Sequence, residues 1–147
     1  MGFFDRFKSQ EKKNSELITA IQDKNVLGIK NLIKIGADVN ATDKYAQTPL
    51  HLTLSKEMAE LLISSGADVN KVDQFGSTPL HFAETPEMVK LLLASGADVN
   101  VVDQYGDTRL ATIQSPEIAK VLIAAGCDVN MENIYGSTPL HLSLIHI

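Results

Sequence analysis

A pentapeptide that returns at a constant spacing of thirty residues constrains this chain more than any other feature. Gly-Ala-Asp-Val-Asn stands at 36–40, 66–70 and 96–100, and Gly-Cys-Asp-Val-Asn at 126–130. Thr-Pro-Leu-His begins at 48, 78 and 138 in the same register, and the copy at 108 reads Thr-Arg-Leu-Ala. A unit of this size cannot bury an apolar face alone, so neighbouring units must stack and share one elongated core.

The unit Asp73–Asn100, DQFGSTPLHFAETPEMVKLLLASGADVN, carries its own punctuation. Thr78-Pro79 is an N-cap residue followed by the residue pre-set for a first helical turn, which predicts a short helix through Leu80, His81 and Phe82. Thr85-Pro86 repeats the signal and predicts a second helix, with Met88, Val89, Leu91, Leu92 and Leu93 as its apolar face. Gly96 supplies a left-handed C-cap, and the polar stretch 100–108 around Gly106 reads as a hairpin-like loop to the next unit. Each unit is therefore expected to be helix, helix, loop.

With TPLH and GADVN almost unaltered, the sequence resembles ankyrin repeats over roughly residues 15–147. The resemblance implies an all-α solenoid of stacked helix pairs with β-hairpin-like loops between repeats. Family repeats are usually three residues longer; the shortfall falls between the two helices, where HFAETPEMV leaves almost no turn, so the first helix should be clipped. The expected organisation is a basic, aromatic N-terminal segment at 1–14 and an array at 15–147. That array has a capping repeat at 15–40, repeats at 41–70, 71–100 and 101–130, and a partial repeat at 131–147. The capping repeat should present a polar outer face through Ser15, Glu16, Gln22, Asp23, Lys24, Lys30 and Lys34. The other end carries no such cap: Leu142, Leu144, Ile145 and Ile147 lack a partner helix, and fraying is expected there. Two readings of that end stay open. The natural protein continues, or LSLIHI, encodable as CTG TCT CTT ATA CAC ATC, is a transposase-adapter sequence and not native.

Charge and composition exclude several functions. Residues 1–34 hold seven Lys/Arg against four Asp/Glu, a balance of +3, and the remaining residues hold six against fourteen, a balance of −8. An acidic body repels phosphate backbones, so no nucleic-acid partner is expected. No stretch reaches the ~18 apolar residues of a membrane span, and the start lacks a secretory h-region, which points to a cytoplasmic protein. A lone cysteine, Cys127, rules out an intramolecular disulfide and a cysteine-based metal cluster. Its place among Ala37, Ala67 and Ala97 reads as a packed position and not a nucleophile.

Neither catalysis nor a cofactor is expected. There is no phosphate-cradling glycine loop, HExxH pair or Gly-x-Ser-x-Gly elbow. His51, His81 and His141 share one repeat position, where the resemblance implies an imidazole that ties the Thr hydroxyl to neighbouring backbone. Histidines on successive stacked units stand roughly 8–10 Å apart, too far to share a zinc ion, so no metal site is expected. Asp38/Asn40 and their equivalents at 68/70, 98/100 and 128/130 read as turn residues, without the bidentate glutamate of a calcium loop. The sequon Asn40-Ala41-Thr42 belongs to the repeat pattern and is discounted.

Tyr45, Phe75, Tyr105 and Tyr135 each stand three residues before the Thr of their unit, which should place them at the loop tips. Such rings either stiffen the loops by packing or supply rigid contact area for a partner. In the resembling family the binding surface comprises these tips and the solvent side of the short first helices, lining a concave groove. Carried over, that implicates Lys44, Tyr45 and Gln47; Gln74, Phe75, Ser77 and Glu84; Gln104, Tyr105, Asp107 and Gln114; and Ile134, Tyr135 and Ser137. The implied function is a non-catalytic protein–protein interaction scaffold, acting as a monomer on a protein partner whose identity the sequence does not carry.

Two alternatives remain: a peripheral membrane tether, or an accessory domain of a longer enzyme. Phe3, Phe4 and Phe7, with Arg6, Lys8, Lys12 and Lys13 around them, suit a weak, reversible membrane contact through residues 1–13, against a loose tail or a short helix docked on the first repeat. Two departures from the pattern should also matter for stability. Ala46 replaces the glycine of the other loops, at a cost of about 1 kcal/mol if φ there is positive. Arg109 replaces the helix-starting proline, so Arg109→Pro is expected to stabilise by roughly 0.4–1 kcal/mol.

Overall fold

The computed structural model describes residues 3–139, with side chains described from residue 9 onward. The C-terminal tail with Leu142, Leu144, Ile145 and Ile147, His141 and His146, and the side chains of Phe3, Phe4, Arg6, Phe7 and Lys8 lie outside the described residues. The chain divides into two compact units, residues 1–68 and 69–147.

The first unit contains α1 (Phe3–Gln22), α2 (Val26–Lys34), α3 (Pro49–Leu52) and α4 (Lys56–Ser64). Helix α1 runs without a break across positions 14 and 15, so the N-terminal segment and the start of the first repeat are one helix. It packs on α2 and α3, and α4 packs on α2 and α3. Leu17, Ile21, Ile29, Leu50, Met58, Ala59 and Leu62 form the buried core. Ser15, Glu16, Gln22, Asp23, Lys24, Lys30 and Lys34, expected on the outer face of this repeat, are all exposed.

The second unit contains α5 (Pro79–Phe82), α6 (Pro86–Ala94), α7 (Arg109–Thr112) and α8 (Pro116–Ala124). Helix α6 packs on α5 and α8, and α7 on α8, around Leu80, Met88, Val89, Leu92, Leu110, Ile118 and Leu122. No strand occurs among the described residues, and the elements give the all-α solenoid repeat expected from the pattern.

Local chemistry sets each boundary. The first helices α3, α5 and α7 are single turns of four residues, as the shortened connection requires. The second helices begin at side-chain caps: Met88 N–H donates to Thr85 Oγ1 at 3.2 Å and Ile118 N–H to Ser115 Oγ at 3.3 Å. Proline then occupies the first turn of α6 and of α8. Helix α6 ends in a Schellman arrangement, with Gly96 at φ +95° and Ala97 N–H donating back to Leu92 O at 3.0 Å.

The shared histidine position is structural. In the first unit Thr48 N–H donates to Nδ1 of His51 at 3.1 Å, and the Thr48 hydroxyl lies 2.9 Å from the same nitrogen. His81 repeats this on Thr78, and its Nε2 stands 3.3 Å from the Asp107 carbonyl of the next repeat. An Nδ1 that accepts a backbone N–H belongs to a neutral ring protonated on Nε2, so His81 donates to Asp107 O and joins two repeats. Burial lowers the His81 pKa below the ordinary 6.5, against the Asp107 carbonyl bond and the nearby Asp103 carboxylate.

The repeat at 101–130, which lacks proline and histidine here, uses Arg109 instead. Its Nη2 donates to the Ala83 carbonyl at 2.6 Å, and Nη1 lies 3.4 Å from Thr112 Oγ1. Among the described residues Nε is buried without an acceptor, and burial lowers the guanidinium pKa while Glu84 raises it. Arg109 is therefore an inter-repeat link, which reverses the expectation that proline would stabilise this position. Cys127 is buried, its Sγ 3.7 Å from Val99 O, and burial pushes its thiol pKa up, consistent with a packed and unreactive position.

Candidate partner-binding surface

Each loop tip is built by one carboxylate or amide that precedes the aromatic residue by two positions. Asp43 Oδ1 accepts Tyr45 N–H at 2.8 Å and Gln47 N–H at 2.9 Å, and Asp43 N–H donates to Gln47 O at 2.9 Å. Asp73 holds Phe75 and Ser77, Asp103 holds Tyr105 and Asp107, and Asn133 holds Tyr135 and Ser137 in the same way, with every N–H to Oδ1 distance between 2.8 and 3.1 Å. A side chain that accepts the backbone donors two and four residues on fixes the loop without help from the rings. These four residues were not singled out from the sequence, although their thirty-residue recurrence two places before each aromatic is the signal that finds them.

The left-handed residue that closes each loop explains the recurring glycine. Ala46 adopts φ +60°, where Gly76, Gly106 and Gly136 have +76°, +77° and +72°. Ala46 thus occupies a region that strains a Cβ-bearing residue, as the sequence comparison implied.

Within the second unit the loops are stitched together by their backbones. Gln104 N–H donates to Phe75 O at 2.8 Å and Ile134 N–H to Tyr105 O at 2.9 Å, while Asn133 Nδ2 donates to Asp107 Oδ1 at 2.8 Å. Gln74, Phe75, Ser77, Gln104, Tyr105, Asp107, Ile134, Tyr135 and Ser137 are thereby brought onto adjacent loops. Of these, Gln74, Gln104, Ile134 and the three rings are exposed, Tyr135 most of all at 74 %. Ser77, Asp107 and Ser137 are half-buried because their backbones close the loops, and the Asp107 carboxylate is engaged by Asn133.

Glu84 and Gln114 sit elsewhere than expected. The clipped helices end at Phe82 and Thr112, and extended residues follow, Ala83 at ψ 121° and Ile113 at ψ 139°. Both side chains therefore stand in the connectors before α6 and α8, exposed, and not on the short helices themselves.

In the first unit Lys44 and Tyr45 are exposed tips and Gln47 is half-buried. The Lys44 ammonium lies over the Tyr45 ring, 4.8 Å from its centroid. Both residues line a groove of about 750 Å³ whose other wall is the face of α1 bearing Glu11, Ser15, Ile18 and Gln22.

The turn pairs turn out to be stitches as well. Asn40 Nδ2 donates to Gly66 O at 3.0 Å and its Oδ1 accepts Asp68 N–H at 2.7 Å. Asn70 makes the same two bonds to Gly96 and Asp98, and Asn100 Oδ1 accepts Asp128 N–H. On α1 the pattern is imitated from within a helix: Gln10 Nε2 donates to Gly36 O and Asn14 Oδ1 accepts Asp38 N–H, at 2.9 and 2.8 Å.

A family profile described as ankyrin repeats, in three copies, matches residues 17–103 and 84–146. The chain belongs to the ankyrin-repeat family. Ankyrin repeats are generally protein–protein interaction modules that bind protein partners, and the family is typically non-catalytic. No curated protein sequence matches the chain. No helix among the described residues of this ankyrin-repeat protein is long and apolar enough to cross a membrane. Nor do three or more His, Cys, Asp or Glu side chains among the described residues come together as metal ligands.

Proposed function

We propose that this chain is a non-catalytic ankyrin-repeat scaffold, a cytoplasmic monomer whose repeats over 15–147 act as one array and bind a protein partner through the loop tips. The observation that carries the reading is the division of labour within each loop. Asp43, Asp73, Asp103 and Asn133 hold the backbone, so the rings of Tyr45, Phe75, Tyr105 and Tyr135 stand 43 %, 43 %, 46 % and 74 % exposed without being needed to shape the tip. A rigid loop presenting an aromatic side chain loses little conformational entropy on binding, which is what hot spots require. Lys44, Gln74, Gln104 and Ile134 beside the rings, and Glu84 and Gln114 in the connectors, would set which partner fits.

The test is an affinity capture from source lysate that compares the intact chain with a Tyr45, Phe75, Tyr105 and Tyr135 all-alanine variant shown by circular dichroism to be folded. A partner retained by the first and lost by the second supports the reading. Equal capture moves the site off the tips.

A further inference from the structure

The groove of the first unit has a chemistry that narrows the kind of partner. In two loops of the second unit the residue between the loop's Asp or Asn and its aromatic donates its N–H to the aromatic carbonyl of the preceding loop, Gln104 to Phe75 and Ile134 to Tyr105. The equivalent residue of the first loop is Lys44, and among the described residues its N–H meets no acceptor. That residue lines the groove between the loop and α1, beside the exposed Tyr45 ring. Among the described residues, the charged side chains lining the groove are Glu11, Asp38, Asp43 and Lys44, and the Lys44 ammonium is drawn over Tyr45. The wall from Glu11 to Gln22 is roughly 16 Å long at the rise of an α-helix, which matches about five residues of extended chain.

We infer that this groove binds an extended, basic peptide segment of a partner, one of whose carbonyls accepts the Lys44 N–H. The bond continues the pairing that already joins loop to loop, and the segment's cationic side chains face Glu11, Asp38 and Asp43. This inference rests on the reading of the chain as a protein-binding module and names the chemistry of what it takes. Main-chain pairing gives the segment its register, and the acidic wall selects its charge.

The test is a titration of the full ¹⁵N-labelled chain at low salt with the blocked pentapeptide Lys-Lys-Phe-Lys-Lys and, separately, Glu-Glu-Phe-Glu-Glu. The basic peptide is expected to move the Lys44 amide signal saturably, together with Glu11, Ser15 and Ile18, and the acidic peptide to leave them in place. Glu11→Lys, at an exposed site, should weaken the basic peptide roughly tenfold. Thr19→Trp, which fills the groove, should abolish binding. An unmoved Lys44 amide, an equal response to both peptides, or binding that survives Thr19→Trp overturns the inference. A protein partner that Thr19→Trp still captures but the loop-tip alanine variant loses also overturns it while leaving the proposed function standing, so the two fail separately.

Discussion

Asn70 is joined to Asp98 across the repeat boundary, its side-chain oxygen accepting the Asp98 N–H at 2.8 Å while its amide donates to Gly96 O at 2.9 Å. One side chain thus satisfies a donor and an acceptor left by the end of the next repeat's second helix. Asn70→Ala removes both bonds at an exposed site and is expected to lower the unfolding free energy by about 1–2 kcal/mol in urea titration. A loss under about 0.5 kcal/mol would show that water replaces the amide without penalty.

Ala46 and Gly106 hold the same left-handed conformation with opposite consequences. Ala46→Gly relieves the strain and should raise stability by about 0.5–1 kcal/mol, net of the flexibility glycine adds to the unfolded chain. Gly106→Ala should cost more than that gain, because a Cβ there would lie 3.1 Å from Asn133 Cα and 3.2 Å from Ile134 N, both backbone atoms with little room to yield. Thermal melts of the two variants check both signs.

His81 gives the fold a pH dependence of defined sign. Its pKa is lowered in the folded state from 6.5, chiefly by burial, so the unfolded chain takes up the proton first as pH falls. The stability associated with the neutral ring is fully present above pH 6.5 and declines from there down through the folded pKa, by at most about 1.4 kcal/mol per pH unit. Urea midpoints of the parent and His81→Ala, measured from pH 8 to pH 5, should converge as the pH drops. Parallel curves would mean that the ring titrates alike in both states.

Arg109→Pro pre-sets the start of α7 but forfeits the 2.6 Å bond from the guanidinium to Ala83 O. A charge-assisted bond outweighs the entropic gain, so the single change should destabilise by roughly 1 kcal/mol. Adding Ala111→His restores the Thr-Pro-Leu-His arrangement of α3 and α5 and should recover much of that loss, a coupling visible in a double-mutant cycle.

What could be read from the sequence is what local chemistry decides. Thr85-Pro86 and Gly96 act within a few residues of their own position, and α6 starts and stops where they indicate. Interactions with backbone in another repeat left no such mark. Asn40 reads as a turn former because its partners, Gly66 O and Asp68 N–H, are main-chain groups that any residue offers. Arg109 reads as a broken motif for the same reason, since the Ala83 carbonyl that it reaches has no sequence signature. The loop tips were legible as aromatic positions but not as clamps: the eye follows Tyr45 and Phe75, while Asp43 and Asp73 do the folding. Glu84 was misplaced because a helix of four residues ends before its own side chains can define a face.

The clamp-and-stitch construction of the loops also bears on how such a chain changes over generations. Residues 101–130 carry a donor for the loop before them at Gln104 N–H, an acceptor for the loop after them at Tyr105 O, and their own clamp at Asp103. Duplicating that segment copies both halves of every polar joint, so the chain lengthens by whole repeats without orphaned partners. Because none of those joints uses a ring at a tip, mutation can exchange one aromatic for another side chain and retarget the surface while the frame that holds it is inherited intact.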